Sequence, residues 1–150
     1  MVTMKSCFLF ACIIGLSLAQ DYIELRPYNL TALNIFHNSD FNGNGQFERS
    51  ELNDVFQNYD VNHDGRIARH EYLHFVSQPL YNFAVILFED YDCAPPPDGF
   101  VDDVDFDLYY KLMDGNQDGM VDSDEFVHHW ISVLENNEAA HSPSQPPVMP

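Results

Sequence analysis

The chain of 150 residues carries 24 Asp and Glu against 6 Lys and Arg, a formal net charge of -18. So acidic a balance argues against nucleic acid and anionic membranes as partners and favours cations, basic surfaces or mineral. Disorder is argued against by 12 Phe, 8 Tyr and a hydrophobic share of 45%, which is core-forming material.

The first predicted element is a removable one. Lys5 precedes an apolar run at residues 8–18, and Ser17, Leu18 and Ala19 put small residues where a signal peptidase cuts, so cleavage before Gln20 is expected. That run is well short of the roughly twenty residues a bilayer span needs. Residues 1–19 are therefore expected to be a signal peptide on a secreted, extracellular chain without a membrane anchor. Their loss removes Lys5 as the only charged residue and shifts the charge from -18 to -19; the remainder is ample for one domain. Cys7 and Cys12 go with it. Cys93 is then the single cysteine, either a buried or free thiol or the link of a disulfide-bonded dimer. Asn29-Leu30-Thr31 is a glycosylation sequon, placed upstream where exposure is expected.

Three later stretches, at residues 40–51, 60–71 and 114–125, share one pattern: Asp, any residue, Asn, any residue, Asn or Asp, then Gly, with Glu at the twelfth place. An aromatic stands four residues before each: Phe36, Phe56 and Tyr110. These are the inner faces of helices that lead into the loops. Between the first two loops a helix is expected over residues 50–59, with Leu52, Val55, Phe56 and Tyr59 on one stripe. The same stripe recurs 54 residues on as Phe106, Tyr109, Tyr110 and Met113, an internal duplication in which two loops flank one short helix.

The duplication points to a fourth, degraded loop ending at Asp105, with Asp98 and Gly99 at its turn. Counted without a gap it begins at Ala94; counted from Phe88 and Tyr91, which mimic Phe56 and Tyr59, it begins at Asp92 and runs to fourteen residues. A helix over 50–59 would be about 15 Å long and would hold the first two loops apart. Beyond the second loop, a break at Gln78-Pro79 and a helix from about Leu80 to Tyr91 return the chain as a hairpin. The Asp60 loop is thus expected to pair with the degraded loop through Ile67 and Val101, and the Asp40 loop with the Asp114 loop through Phe47 and Val121. A last helix over about 124–136 has Phe126, Val127, Trp130, Ile131 and Leu134 on its apolar side, either closing the core or forming a groove. The folded domain is placed at residues 20–137, and residues 138–150 are a Pro- and Ser-rich tail with little to bury.

The three intact loops resemble the calcium loops of EF-hand proteins of the calmodulin superfamily, over about residues 33–134. The resemblance implies an all-α fold of helix-loop-helix units, three loops intact and one degenerate, with short shared helices and short β pairing between loops. It implies Ca²⁺ as the ion. The ligand positions it carries over are Asp40, Asn42, Asn44, Gln46 and Glu51; Asp60, Asn62, Asp64, Arg66 and Glu71; and Asp114, Asn116, Asp118, Met120 and Glu125. Glu48 and Asp122 stand at ninth places, while Gln46, Arg66 and Met120 contribute main-chain oxygen only. The short interval between the first two loops departs from calmodulin, whose lobe geometry is therefore not implied. With a signal peptide in front, the chain looks loosely like small secreted EF-hand proteins, including those of mollusc shell matrices.

Four carboxylates in the third intact loop against three in each of the others make it the expected strongest of three moderate to weak sites. His70 and His74, one helical turn apart, and the adjacent His128 and His129 are read as solvated histidines rather than a zinc or copper site. No nucleophile elbow or phosphate-cradling glycine loop occurs, so no catalysis is expected. The expected function is a secreted protein that binds about three Ca²⁺ and acts as an extracellular buffer or matrix component. The alternative is a calcium-dependent interaction module that bares an apolar groove around Phe126 and Trp130 to a protein partner.

Overall fold

The aspartate at the head of a loop decides where the helix before it stops. Asp40, Asp92 and Asp114 each give their N–H to the carbonyl four residues back, while ψ values of 82°, 66° and 81° turn the chain out of the helix. The computed structural model describes residues 25–138. Its helices are α1 Tyr28–Ser39, α2 Arg49–Phe56, α3 Arg69–His74, α4 Tyr81–Tyr91, α5 Asp103–Met113 and α6 Ser123–Asn136; its strands, two residues each, are β1 Gln46–Phe47, β2 Ile67–Ala68, β3 Phe100–Val101 and β4 Val121–Asp122. This is an all-α fold of helix-loop-helix units with short β pairing between loops. The expected signal peptide and the tail beyond Glu138 lie outside the described residues.

The helix expected over 50–59 is shorter. It ends at Phe56, and Tyr59 gives its N–H to Phe56 at 2.9 Å, three residues back rather than four. That tighter turn leaves Tyr59 buried, at 4% exposure. The break at Gln78-Pro79 is a 3-10 turn, Gln78–Leu80, that admits Pro in its first positions.

Both expected loop pairings form. β1 runs antiparallel to β4, with Gln46 opposite Asp122 and Phe47 opposite Val121; β2 runs antiparallel to β3, with Ile67 opposite Val101 and Ala68 opposite Phe100. A shift of 54 residues turns one ladder into the other, since 46 becomes 100, 47 becomes 101, 67 becomes 121 and 68 becomes 122. The two halves are therefore related by a pseudo-two-fold, and each half pairs its first loop with the second loop of the other. The helices follow suit: α1 packs on α6, α4 on α3, and the two shared helices α2 and α5 on each other. Arg49 fastens that central contact, donating to Asp107 at 2.8 Å with its guanidinium 5.4 Å from the Phe106 ring. The acid partner is exposed, so the ion pair contributes at most about 1 kcal/mol; the ring contact and apolar burial hold the helices together.

The core is mostly aromatic. Beneath the β1–β4 ladder Phe36 and Phe47 meet Phe126 edge-on at 5.4 and 4.9 Å, and beneath the β2–β3 ladder Phe88 meets Tyr72 at 5.6 Å. Between the halves Phe56, Tyr91 and Tyr109 continue the packing around a cavity of about 40 Å³. Phe126 and Trp130, at 2% and 7% exposure, belong to this core, so the apolar side of α6 closes the domain. No described helix is long and apolar enough to cross a membrane.

One histidine departs from the expected solvated state. His70, His74 and His128 are exposed, but His129 lies edge-on to Tyr109 and shares a hydrogen bond of 3.0 Å with its hydroxyl. The adjacent His128 signalled surface, yet one step along a helix turns the next side chain by 100° and onto the buried flank. Burial lowers the His129 imidazole to about 4 from its ordinary 6.5, with neighbouring His128 a smaller cause. The folded state thus favours neutral His129. That preference contributes fully above pH 6.5 and is lost as the pH falls towards 4, an effect on the order of 3 kcal/mol. In urea unfolding with chelator present, wild type should lose more stability than His129→Gln between pH 7 and 4.5; a pH-independent difference would contradict the assignment.

Candidate metal centres

Each loop is shaped by its own acids before any ion is considered. In the Asp40 loop the carboxylate of Asp40 takes N–H bonds from Gly43, Asn44 and Gly45, at 2.7, 3.1 and 2.8 Å. Asp60 takes those of Asp64 and Gly65 at 3.2 and 3.0 Å, and Asp114 those of Asp118 and Gly119 at 3.2 and 2.9 Å. The third and fifth residues make Asx-turns, their side-chain oxygens accepting from the N–H two residues on: Asn42, Asn44, Asn62, Asp64, Asn116 and Asp118 all do so, at 2.8 to 3.0 Å. The main-chain donors are thereby turned to the side chains. Gly45, Gly65 and Gly119 at the sixth place, and Gly99 at the matching turn, have φ between +82° and +88°, a conformation that costs an L side chain about 1–2 kcal/mol.

The terminal glutamate joins the loop to the helix that follows. Glu51 accepts from Asn42 N at 3.2 Å and Glu48 N at 2.9 Å; Glu71 from Asn62 N at 3.2 Å and Ala68 N at 2.9 Å; Glu125 from Asn116 N at 2.9 Å and Asp122 N at 3.3 Å. One oxygen thus reaches back to the third residue of the loop, and the other caps the helix by holding the ninth residue's N–H. Glu51 and Glu71 are buried, at 3% and 5% exposure. All fifteen expected ligand positions lie in the three intact loops, which offer carboxylate, Asn amide and main-chain carbonyl oxygens. Hard oxygen donors in this number suit a hard divalent cation. Among the described residues no three His, Cys, Asp or Glu side chains form a metal group by themselves; a closed cage would need Asn and main-chain oxygens as well.

The degraded loop begins at Asp92. Its carboxylate takes the N–H bonds of Asp98 and Gly99 at 3.2 and 2.8 Å, as the other leading aspartates do, so two residues are inserted ahead of the turn. Asp105 copies the terminal glutamate, accepting from Ala94 N at 2.8 Å and Asp102 N at 3.0 Å. Burial raises its carboxyl above the ordinary range, partly offset by those two N–H bonds. Ala94 stands where the intact loops have Asn, so an oxygen is missing at the third place. Cys93 is half-buried and donates weakly to the Asp105 carbonyl at 3.5 Å. Burial, then the Asp105 charge, raises its thiol and reduces the thiolate that disulfide chemistry needs.

A feature missed from sequence lies at the fourth place of the loops, where Gly43, His63 and Gln117 have φ of +70°, +59° and +62°. Gly43 is the residue whose type could have signalled it.

The family model described as EF hand matches residues 52–76 and 111–128, which cover the Asp60 and Asp114 loops with flanking helix. The chain is also similar to the "Probable calcium-binding protein CML28" of Oryza sativa subsp. japonica, 29% identical over 96 residues, covering 64% of this chain and 45% of that protein. It thus spans less than half the length of this curated relative. No solved structure matches the chain. The family match and the geometry agree that the Asp60 and Asp114 units are similar to EF hands, and Ca²⁺ is the ion that this match supports.

Gln117 pays for its left-handed backbone with strain that glycine would not have. Gln117→Gly should stabilise the chelated protein by about 0.5 kcal/mol in urea unfolding, after glycine's greater freedom in the unfolded chain is subtracted; a loss of 1 kcal/mol would contradict this.

Proposed function

We propose that the protein binds three Ca²⁺ ions, through the loops at residues 40–51, 60–71 and 114–125, and works outside the cell as a calcium buffer or matrix component rather than as an enzyme. The observation that carries this reading is the recurrence of one hydrogen-bond frame around a full oxygen set in three loops, and its recurrence around an incomplete set in the fourth. The ligands are the fifteen residues named above, with Glu48 and Asp122 adding charge at the ninth places. Bound ions supply positive charge among clustered carboxylates; the chain's own residues position the oxygens and latch each loop to its helix. Asn at the third place of every loop keeps the sites moderate to weak, as suits the calcium-rich exterior. The rice relative, a probable calcium-binding protein by its name, supports calcium binding. The secreted setting rests on residues 1–19, and the exposed Asn29 fits a glycosylated chain. Half-burial and a raised thiol make Cys93 a slow partner for disulfide formation.

The interaction-module reading rests on the cavity beside Phe126 and Trp130, which a helix movement would widen. A large calcium-dependent rise in binding of an apolar dye would favour it, and none would favour the buffer.

Calorimetric titration of the purified protein should give three ions. Asp40→Ala, Asp60→Ala and Asp114→Ala should each lose one at saturation. Parent protein that takes up no heat from millimolar Ca²⁺ would refute the proposal.

A further inference from the structure

The pseudo-two-fold pairs the loops unequally. The Asp40 and Asp114 loops, both with full oxygen sets, share the ladder of β1 and β4; the Asp60 loop shares its ladder with the incomplete Asp92 loop. One side chain adds to the first pair something the second lacks. Tyr110, on the helix that leads into the Asp114 loop, donates its hydroxyl to the carbonyl of Phe47 in the Asp40 loop at 2.9 Å. Val121 stands opposite Phe47 in the ladder, so the hydroxyl meets the paired peptides of both loops at this point. The Tyr110 ring also lies 6.4 Å from that of Phe47. Its counterpart 54 residues earlier is Phe56, which has the ring and no hydroxyl.

The connection falls where it can carry information between sites. Phe47 follows directly on Gln46, whose carbonyl is a ligand position, and Val121 follows directly on Met120, the same position in the other loop. Fixing either carbonyl fixes the peptide next to it, and through the ladder and the Tyr110 hydroxyl the corresponding peptide of the partner loop. The other route between sites is α2, which joins the Asp40 loop to the Asp60 loop, but Arg49 pins that helix to α5 through Asp107 and Phe106, which limits how far it can turn.

We propose that Tyr110 is a coupling residue, making the Asp40 and Asp114 sites one cooperative pair while the Asp60 site fills independently beside a partner loop held in shape by its own hydrogen bonds. The inference rests on the three-site reading above. Coupling between sites of this kind changes affinity by about 5- to 150-fold.

The test uses glycine signals. The chain has 7 glycines, and Gly45, Gly65 and Gly119 each donate N–H to the leading aspartate of their own loop, so in ¹⁵N-glycine-labelled protein each reports one site. In Asp40→Ala the midpoint of Gly119 should move to about ten-fold higher calcium, while that of Gly65 moves less than two-fold. Tyr110→Phe keeps the ring and removes the hydroxyl; it should keep all three sites and split the midpoints of Gly45 and Gly119. Adding Asp40→Ala to Tyr110→Phe should then shift Gly119 much less than ten-fold. A Gly119 midpoint indifferent to Asp40→Ala, a shift of Gly65 in its place, or Tyr110→Phe leaving the coupling intact would each overturn the proposal. Should Asp40→Ala fail to fold, the midpoints in Tyr110→Phe decide alone. Glycine signals that do not respond to calcium in the parent would instead refute the three-site reading itself.

Discussion

Crowded negative charge is the constraint to which the rest of the structure answers. The fold gathers carboxylates into four short loops of a chain whose net charge is -18, and like charges a few ångströms apart repel by an amount that depends steeply on local dielectric. Main-chain N–H groups meet part of that cost: the leading aspartate, the Asx side chains and the terminal glutamate of each intact loop accept them in the same order. Amide dipoles orient the oxygens but add no net positive charge. A divalent cation does both, which links ion binding to stability of the fold.

Glu51, Glu71 and Glu125 show how that linkage reaches the helices. Each is the third residue of a helix as well as the last of a loop, and holds the N–H of the residue that starts the helix. A group that draws on those oxygens acts on helix capping at the same time. Asp105 does the same work for the degraded loop with a shorter side chain and a raised carboxyl, the behaviour of an acid that serves shape more than charge. The degraded loop therefore keeps its place in the ladder beside Ile67 although an oxygen is missing at Ala94.

The loops, their order and both ladder registers were legible because each depends on local spacing: glycine where φ must be positive, an apolar residue two places later, a proline at the hairpin. The start of the degraded loop was open between Ala94 and Asp92 because insertion defeats counting; hydrogen bonds from Asp98 and Gly99 to Asp92 decide it. The early end of α2 was not legible, since the apolar stripe runs on to Tyr59 and the tightened turn preserves its burial. His129 escaped for the opposite reason, a polar residue whose partner, Tyr109, is twenty positions away. The hydroxyl of Tyr110 likewise reads as an ordinary core aromatic until β1 lies beside it.

The central claim is that oxygen cages in these loops take a divalent cation and hold the fold together through it. Thermal unfolding of the purified protein, with chelator and then with millimolar Ca²⁺ at the same ionic strength, tests it most directly. Binding to the folded state alone should raise Tm by several degrees or more, since a ligand at 100 times its dissociation constant adds about 2.7 kcal/mol per site. Superimposable unfolding curves would contradict it.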